Sequence, residues 1–349
     1  MRVSRKMEHV RHALQLGQSG NNGLSDIRFV HNALPEQSLS SVTLSTSIGE
    51  LVLSSPIIIN AMTGGAEETE AINRGFAEAA KETGIAMAVG SQMAALKHPE
   101  VRSSYTVVRK TNPDGIVLAN LGGEATPEQA LAAVEMLEAN ALQIHLNPMQ
   151  ELIMPEGDRD FRGMAERIGR IAETVPVPVI VKEVGFGLTR DVARRLREAG
   201  VKLIDVGGAG GTNFAAIENM RRTAPLDWLN DWGLTTSCAL LEVQSVYRPE
   251  QIIASGGIAE PMDACKALAV GAAAVGVAGA FLRTLRQEGV GALIGRIREM
   301  NDHLSLLMTA LGAPDVAGLA RVPLVIGGAT AEWCAARNID IRGYGCRTD

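Results

Sequence analysis

The sequence is poor in several residue types, and each shortage excludes a class of protein. Only four cysteines occur in 349 residues, with no CxxC pair and no histidine at zinc-ligand spacing: Cys238, Cys265, Cys334 and Cys346. We expect free thiols in a reducing cytosol, not a disulfide scaffold. Aromatic residues make up 3% of the chain, so a core built from its 46% hydrophobic residues must be mainly aliphatic.

Long apolar runs and an excess of positive charge are also missing. No run of about 18 apolar residues occurs, so no membrane span is expected. The N-terminus, MRVSRKMEHVRHALQLG, is charged throughout and lacks the apolar core of a signal peptide, which favours a cytoplasmic location. The formal net charge of −6 argues against a general nucleic-acid-binding protein, but it does not exclude a local basic pocket for a phosphate.

The chain contains a recurring unit, a short apolar strand followed by a helix. Strands are predicted at 57–60, 86–89, 115–120, 141–145, 177–181, 203–206, 251–254 and 273–277. Helices are predicted at 4–16, 67–83, 99–110, 127–139, 161–174, 189–199, 235–246, 261–270, 291–311 and 329–336. Eight such units predict an α/β fold, a parallel (β/α)8 TIM barrel. A doubly wound sheet is disfavoured, because the first loop, MTGGAEE, lacks GxGxxG spacing.

No linker divides the chain, so a single domain over residues 1–349 is predicted. It would comprise an N-terminal arm (1–50), the barrel (51–285) and a C-terminal helical tail (286–349). In the arm, Arg5, His9 and His12 would share one helix face. This face is either a solvated basic surface or an arm that folds over the barrel mouth and brings cations to an anionic ligand.

Polar and glycine residues follow the predicted strands, at the end of a barrel where active sites lie. The loops ASGGI (254–258) and GVAGA (276–280) favour a phosphate site, because glycine lets a phosphate approach backbone N–H groups. Simple tight turns are the alternative. Thr212, in GGAGGTNF (207–214), adds a hydroxyl donor to the same region.

The stretch 141–160 changes abruptly from an apolar strand to hydrogen-bonding and charged side chains. Glu151 is either a solvated charge or a ligand for magnesium, which uses one or two carboxylates with phosphate oxygens and water. His145 is either a satisfied core histidine or a ligand-binding one. Lys182 is either paired with Glu183 or Glu151, a Schiff-base lysine, or a fixed cation beside a flavin.

Nine segments carry a family likeness: RKMEHVRHAL, INAMTGG, AVGSQM, ANLGGEAT, QIHLNPMQELIMPEGDR, VPVIVKEVGFG, GGAGGTNF, ASGGI and GVAGA. In this order they resemble the flavin-dependent, type 2 isopentenyl-diphosphate isomerases over essentially the whole chain. The resemblance implies an enzyme that interconverts isopentenyl and dimethylallyl diphosphate with reduced FMN as acid/base catalyst. It also implies Mg²⁺, NADPH or another donor as flavin reductant, and a homo-oligomer, a tetramer or larger.

The same resemblance implies roles for individual positions. Diphosphate binding would fall to Arg5 and Lys6, with His9 as a further cation. Gln150 would lie against the substrate as a catalytic residue, with His145 and Asn147 beside it, and Glu151 would bind Mg²⁺. The implied FMN-binding residues are Ala61, Met62, Thr63, Ser91, Asn120, Lys182, Thr212, Gly256, Gly257, Ala278 and Gly279. Met93 stands where some members have an arginine, so that diphosphate contact would be absent here.

An FMN-dependent 2-hydroxy acid oxidase is the main alternative function. Such barrels need a base, usually histidine, in the late strand-end loops, whereas the only histidine after His145 is His303, in the tail. A nucleotide dehydrogenase with a catalytic cysteine in its sixth loop is disfavoured, because GGAGGTNF contains no cysteine. A non-enzymatic flavin barrel is the alternative from another class.

Overall fold

A closed barrel of parallel strands forms the centre of the protein. The computed structural model describes residues 2–17 and 20–347, and the side chains of residues 2–6 and 9 lie outside that description. The strands within these residues are β1 (Ile27–Phe29), β2 (Thr46–Ile48), β3 (Leu51–Leu53), β4 (Ile57–Ile59), β5 (Ala86–Ala88), β6 (Val117–Gly122), β7 (Ala141–Leu146), β8 (Val179–Glu183), β9 (Leu203–Asp205), β10 (Ile252–Ser255), β11 (Ala274–Val277) and β12 (Leu324–Ile326). Strands β4 to β11 pair in chain order, and β11 returns to β4.

Helices surround this barrel and extend beyond it at both ends of the chain. They are α1 (Arg2–Leu16), α2 (Glu67–Thr83), α3 (Met93–Lys97), α4 (Ser103–Thr111), α5 (Pro127–Leu137), α6 (Pro148–Ile153), α7 (Met164–Thr174), α8 (Arg190–Glu198), α9 (Phe214–Asn219), α10 (Thr236–Val243), α11 (Pro261–Val270), α12 (Gly279–Glu288), α13 (Val290–Leu311), α14 (Gly328–Ala336) and α15 (Arg342–Gly345). The predicted (β/α)8 barrel is confirmed.

The structure contains two features that the sequence analysis did not predict. Leu51–Leu53 pairs antiparallel with β2 as a hairpin, and the first barrel strand starts at Ile57, as predicted. Ser55 lies between the two strands and accepts the Ile57 N–H through its hydroxyl (3.1 Å). The tail is not purely helical, because β12 pairs antiparallel with β1 and so ties it to the arm.

Several barrel helices begin at a threonine that follows a strand loop. The hydroxyls of Thr126, Thr189 and Thr235 each accept a backbone N–H three residues further on, which satisfies one of the free donors at a helix start. The Thr126 backbone N–H in turn donates to the Gln129 side-chain oxygen (3.0 Å), which completes a capping box. These local signals explain why the helices begin where they do.

The strands bury both faces, and alternate residues point into the barrel. The lowest interior layer is apolar: Ile58, Ala86, Leu118, Ala141, Ile180, Leu203, Ile253 and Ala274. Ile48 and Leu53 of the hairpin pack against this layer. The hairpin therefore closes the amino-terminal end of the barrel.

Two residues further along each strand, the interior becomes mostly polar. This middle layer consists of Asn60, Ala88, Asn120, Gln143, Lys182, Asp205, Ser255 and Gly276. Two residues further still lie Met62, Gly90, Gly122, His145, Val184, Gly207, Gly257 and Ala278, most of which are small. The barrel thus has an apolar base, a polar middle and an open upper end.

The other face of each strand packs on the helices in one large aliphatic core. In the described residues no helix combines the length and the apolar character needed to cross a bilayer. The four cysteines are free thiols, three of them buried.

The hairpin offers a stability test with a matched control. Leu53 is 2% exposed and Val52 is 68% exposed, although the two are neighbours in β3. Leu53→Ala should lower the free energy of unfolding by about 2–5 kcal/mol, because it leaves a cavity under the barrel. Val52→Ala should change it by no more than about 0.5 kcal/mol. Urea denaturation of both variants measures the free energy of unfolding. Equal effects of the two substitutions would contradict the inference that the hairpin closes the end of the barrel.

Candidate functional site

One large cavity, of about 1080 Å³, opens at the carboxyl ends of the barrel strands. Its wall contains every predicted site residue whose side chain the structure describes: Ala61, Met62, Thr63, Ser91, Asn120, His145, Asn147, Gln150, Glu151, Lys182, Thr212, Gly256, Gly257, Ala278 and Gly279. The side chains of Arg5, Lys6 and His9 lie outside the described residues. The parallel register of the barrel brings the cavity-lining residues together, while the individual role of each residue stays a prediction.

The late loops form a cradle of backbone at one side of the cavity. Gly256 and Gly257 have positive φ angles of 112° and 72°, a conformation that side chains disfavour. A Cβ atom on Gly211 would lie 2.7 Å from the Gly257 nitrogen, so the two loops touch through their backbones. Gly279 opens the ten-residue helix α12, and the Thr212 hydroxyl would be 3.1 Å from a Cβ atom on it. A helix start with a nearby hydroxyl suits a phosphate.

Thr63 presents an unpaired hydroxyl in the same cavity. Its Oγ1 atom is buried and has no hydrogen-bond partner within the described residues. A buried hydroxyl without a partner costs free energy, so such a group normally has a ligand or water to bond. The predicted FMN position Thr63 is therefore compatible with a polar edge of a bound cofactor.

Lys182 is buried at the end of β8 and does not pair with a carboxylate. Its Nζ atom donates to the backbone oxygen of Glu183 (2.7 Å), and no ion pair of Lys182 occurs among the described residues. The Glu183 carboxylate instead accepts the backbone N–H groups of residues 184, 185, 186 and 187. Burial raises the pKa of Glu183 to about 7, although the backbone donors and Lys182 lower it. Of the predicted alternatives, pairing with the Glu183 or Glu151 carboxylate is wrong.

Glu151 lies on α6 and is held by two hydrogen bonds. Its Oε1 accepts from Asn147 Nδ2 (3.0 Å) and its Oε2 from the Asp158 N–H (2.9 Å). The pKa of nearby Glu124 is raised by burial and then by the negative charges of Glu151 and Asp158. Among the described residues no three His, Cys, Asp or Glu side chains converge on one point. A magnesium ion at Glu151 would therefore take few protein ligands and complete its shell with substrate oxygens and water.

Gln150 is oriented by residues that the sequence analysis missed. Its Nε2 donates to Glu218 Oε1 (2.9 Å), and Glu218 is fully buried on α9. Arg221 bonds the other Glu218 oxygen (2.6 Å) and also contacts Glu156 (2.6 Å) and Glu8 of α1 (3.6 Å). An acidic residue on a short helix reads as solvent-exposed in a sequence, so nothing local signalled that Glu218 faces Gln150.

Met93, which stands where some members of the resembled family have an arginine, lines the cavity. Lys97 lies four residues later on the same helix, α3, and also reaches the cavity wall. Residues four apart share one helix face, so Lys97 supplies a cation near the position that Met93 leaves uncharged. The spacing was visible in the sequence, but helix α3 was not predicted.

A chain of hydrogen-bonded amide side chains runs along the cavity floor, where Asn120 and His145 reach the wall. His145 Nδ1 bonds Asn120 Oδ1 (2.9 Å), and Asn120 bonds Gln143 (3.1 Å). Gln143 then bonds Asn60 (3.0 Å), and Asn60 bonds the Asp205 carboxylate (2.8 Å). The Asn120 side chain is thus already engaged on both of its polar atoms, with one N–H left for a ligand.

Comparison with solved structures shows the fold. A lactate oxidase from Pediococcus acidilactici is 17% identical, with a TM-score of 0.65 and coverage of 93% of this chain and 94% of that one. A flavocytochrome b2 variant with sulfite bound is 18% identical, with a TM-score of 0.68 and coverage of 95% and 85%. At such identities the likeness concerns the barrel alone.

Sequence comparison is more specific. The family "FMN-dependent dehydrogenase" matches residues 158–325. An isopentenyl-diphosphate delta-isomerase from Geobacillus sp. (strain WCH70) is 52% identical over 347 residues, 99% of each chain. Relatives of the same name from Bacillus licheniformis and Symbiobacterium thermophilum are 53% and 49% identical, covering 99% and 100% of this chain and 99% of each relative. The chain therefore belongs to the isopentenyl-diphosphate delta-isomerase family and is an isomerase.

Proposed function

We propose that the protein interconverts isopentenyl and dimethylallyl diphosphate, with reduced FMN as acid/base catalyst and Mg²⁺ holding the diphosphate. One observation carries the proposal: Gln150 and Glu151 line the same cavity as the glycine cradle and the buried cation Lys182. This arrangement offers separate places for a phosphate-bearing cofactor and for a metal-bound diphosphate. The small upper layer of the barrel leaves room between them.

The FMN phosphate would be held by backbone N–H groups of Gly256, Gly257 and Gly279 and by the Thr212 hydroxyl. Thr63 would bond a polar edge of the ring, and Lys182 would stand near it as a cation that stabilises negative charge. When bound, reduced FMN supplies a nitrogen that can hold or release a proton and an electron-rich ring beside positive charge. Ala61, Met62, Ser91, Asn120 and Ala278 would complete the cofactor wall.

The substrate would be held at its charged end and enclosed at its apolar end. Glu151 would bind Mg²⁺ on the diphosphate, and Arg5, Lys6 and His9 of the arm would add positive charge. The Gln150 amide, fixed by Glu218, would lie against the alkene with His145 and Asn147 beside it. The apolar side chains of Met62, Val184 and Phe214 line the cavity and would help to exclude water from a cation-like state.

NADPH as the reductant of the flavin, a homotetramer or larger assembly and a cytoplasmic location stay predictions, as does the absence of a nucleic-acid partner. The 2-hydroxy acid oxidase alternative gains nothing from the site. His303, the histidine it would need as a base, lies on the exposed face of α13 and does not line the cavity.

Anaerobic turnover tests the proposed function. Purified protein with FMN, Mg²⁺ and NADPH should convert isopentenyl diphosphate into dimethylallyl diphosphate, with no net consumption of NADPH after the flavin is reduced. The same preparation should not reduce its flavin with lactate or mandelate. Flavin reduction by either acid, without isomerisation, would favour the oxidase function and overturn the proposal.

Removal of the unpaired Thr63 hydroxyl tests the cofactor assignment. Thr63→Val keeps the shape of the side chain, so we expect FMN affinity to fall by about 2- to 13-fold, the worth of one hydrogen bond. The apoprotein should be no less stable, because a buried hydroxyl without a partner is removed.

Thr69→Val is the matched control for this substitution. The Thr69 hydroxyl bonds the Ala66 backbone oxygen (2.6 Å) at the start of α2 and does not line the cavity. This variant should lose stability and keep its FMN affinity. Fluorescence titration with FMN and thermal denaturation of the apoproteins measure both effects, and wild-type FMN affinity in Thr63→Val would contradict the assignment.

Neutralising Glu151 tests the metal assignment. Glu151→Gln keeps an oxygen for Asn147 but removes the charge, so kcat/KM at fixed Mg²⁺ should fall on the order of 100-fold while bound FMN is retained. Glu166→Gln, on the exposed side of α7, is the control and should leave kcat/KM unchanged. Magnesium titrations of turnover distinguish the two, and full activity in Glu151→Gln would exclude Glu151 as the ligand.

A further inference from the structure

We propose that Asp205 is a positioning residue that fixes the protonation site of His145, so that the imidazole carries its proton on Nδ1. Asp205 is fully buried inside the barrel and does not line the cavity. Its influence passes through three amide side chains of the middle layer. The proposal deepens the proposed function, on which its consequence for turnover rests, whereas the protonation site itself can be measured without turnover.

The direction of the hydrogen-bond chain is set at Asp205. A carboxylate only accepts, and its Oδ1 atom already receives the Ser255 hydroxyl (2.5 Å) and the Gly207 N–H (3.2 Å). Its Oδ2 atom lies 2.8 Å from the Asn60 side chain, which must therefore present its NH₂ group. The orientation of the Asn60 amide follows from this contact.

A second contact fixes the same orientation independently. The backbone N–H of Ala61 donates to Asn60 Oδ1 (2.9 Å), so the oxygen of Asn60 faces away from Asp205. That oxygen also lies 3.0 Å from the Gln143 amide. Gln143 must then donate through Nε2, which leaves its Oε1 atom as the acceptor for the next link.

The remaining links carry this order to the histidine. Gln143 Oε1 accepts from Asn120 Nδ2 (3.1 Å), so the Asn120 oxygen points to His145. His145 Nδ1 lies 2.9 Å from that oxygen and must be the donor. Each amide has one donor side and one acceptor side, so reversing any link would place two donors or two acceptors face to face.

The consequence for the site is a defined chemical face of His145. With the proton on Nδ1, the neutral imidazole keeps Nε2 unprotonated, so Nε2 accepts hydrogen bonds and protons and does not donate them. The reversed arrangement is costly because Gln143 and Asp205 are buried and do not line the cavity, so a donor or acceptor left without a partner there is destabilising. Asp205 thus acts on His145 through three amide side chains, without lining the cavity itself.

Nitrogen NMR of the FMN-loaded enzyme, labelled with ¹⁵N-histidine, tests the proposal. The chain has six histidines, and the loss of one signal in His145→Gln assigns His145. The wild-type protein should show His145 protonated on Nδ1. A wild-type ring protonated on Nε2 and not on Nδ1 would overturn the proposal at once.

Two variants break the hydrogen-bond chain from Asp205 to His145 in different ways. In Asp205→Asn the new NH₂ group must face either Asn60 or the Gly207 N–H, both of which are donors. In Gln143→Met the central link is lost with no change in charge. Both should give a His145 signal with Nε2 protonation, and kcat should fall at least about tenfold with KM little changed.

Ser255→Ala is the control, because it removes a partner of Asp205 but no link to His145. It should keep the Nδ1-protonated signal. If Asp205→Asn does not fold, Gln143→Met and the wild-type spectrum decide the question. Retention of the Nδ1-protonated ring in a folded Gln143→Met would reduce the chain to a structural role. An Nδ1-protonated wild-type ring in a protein without isomerase activity would refute only the proposed function.

Discussion

Closure of the barrel between its last and first strands is the constraint on which the site depends. β11 pairs with β4 in parallel, so that Gly276 lies beside Ile58. A Cβ atom on Gly276 would lie 2.4 Å from Asn60 Nδ2, so a larger residue at 276 would displace the amide that reaches Asp205. Gly276 therefore takes part in the pairing that closes the barrel and also leaves room for the Asn60 amide. Because all the barrel strands are parallel, closure also places their carboxyl ends around one cavity.

The two-residue period of a strand explains how the same segments supply both core and site. Along β9 and the loop that follows it, Leu203 belongs to the apolar base, Asp205 to the polar middle and Gly207 to the cavity wall. Burial of the polar middle is tolerated because its side chains bond each other and nearby backbone. The apolar base, covered by the hairpin, supplies the hydrophobic stabilisation that this arrangement requires.

The sequence allowed the barrel and much of the cavity wall to be predicted, because both follow from local patterns. Apolar runs identified the strands, and the polar residues after them, such as His145 and Gln150, had to lie at one end of a parallel barrel. The hairpin was missed because an apolar segment such as Leu51–Leu53 has the same composition whichever strand it pairs with. Glu218 was missed because its partner is 68 positions away in the chain.

The distribution of charge in and around the cavity wall has a simple consequence for ligand binding. Glu183 and Asp205 are both buried, yet backbone N–H groups and neutral side chains satisfy their hydrogen bonds. Arg221, in contrast, is committed to Glu8, Glu156 and Glu218. Lys182 differs from these groups. Among the described residues it is a buried cation without a carboxylate partner within 4 Å, and it donates to a backbone oxygen. A buried charge of this kind is stabilised most by an anionic ligand, so the protein interior itself favours a negatively charged group beside β8.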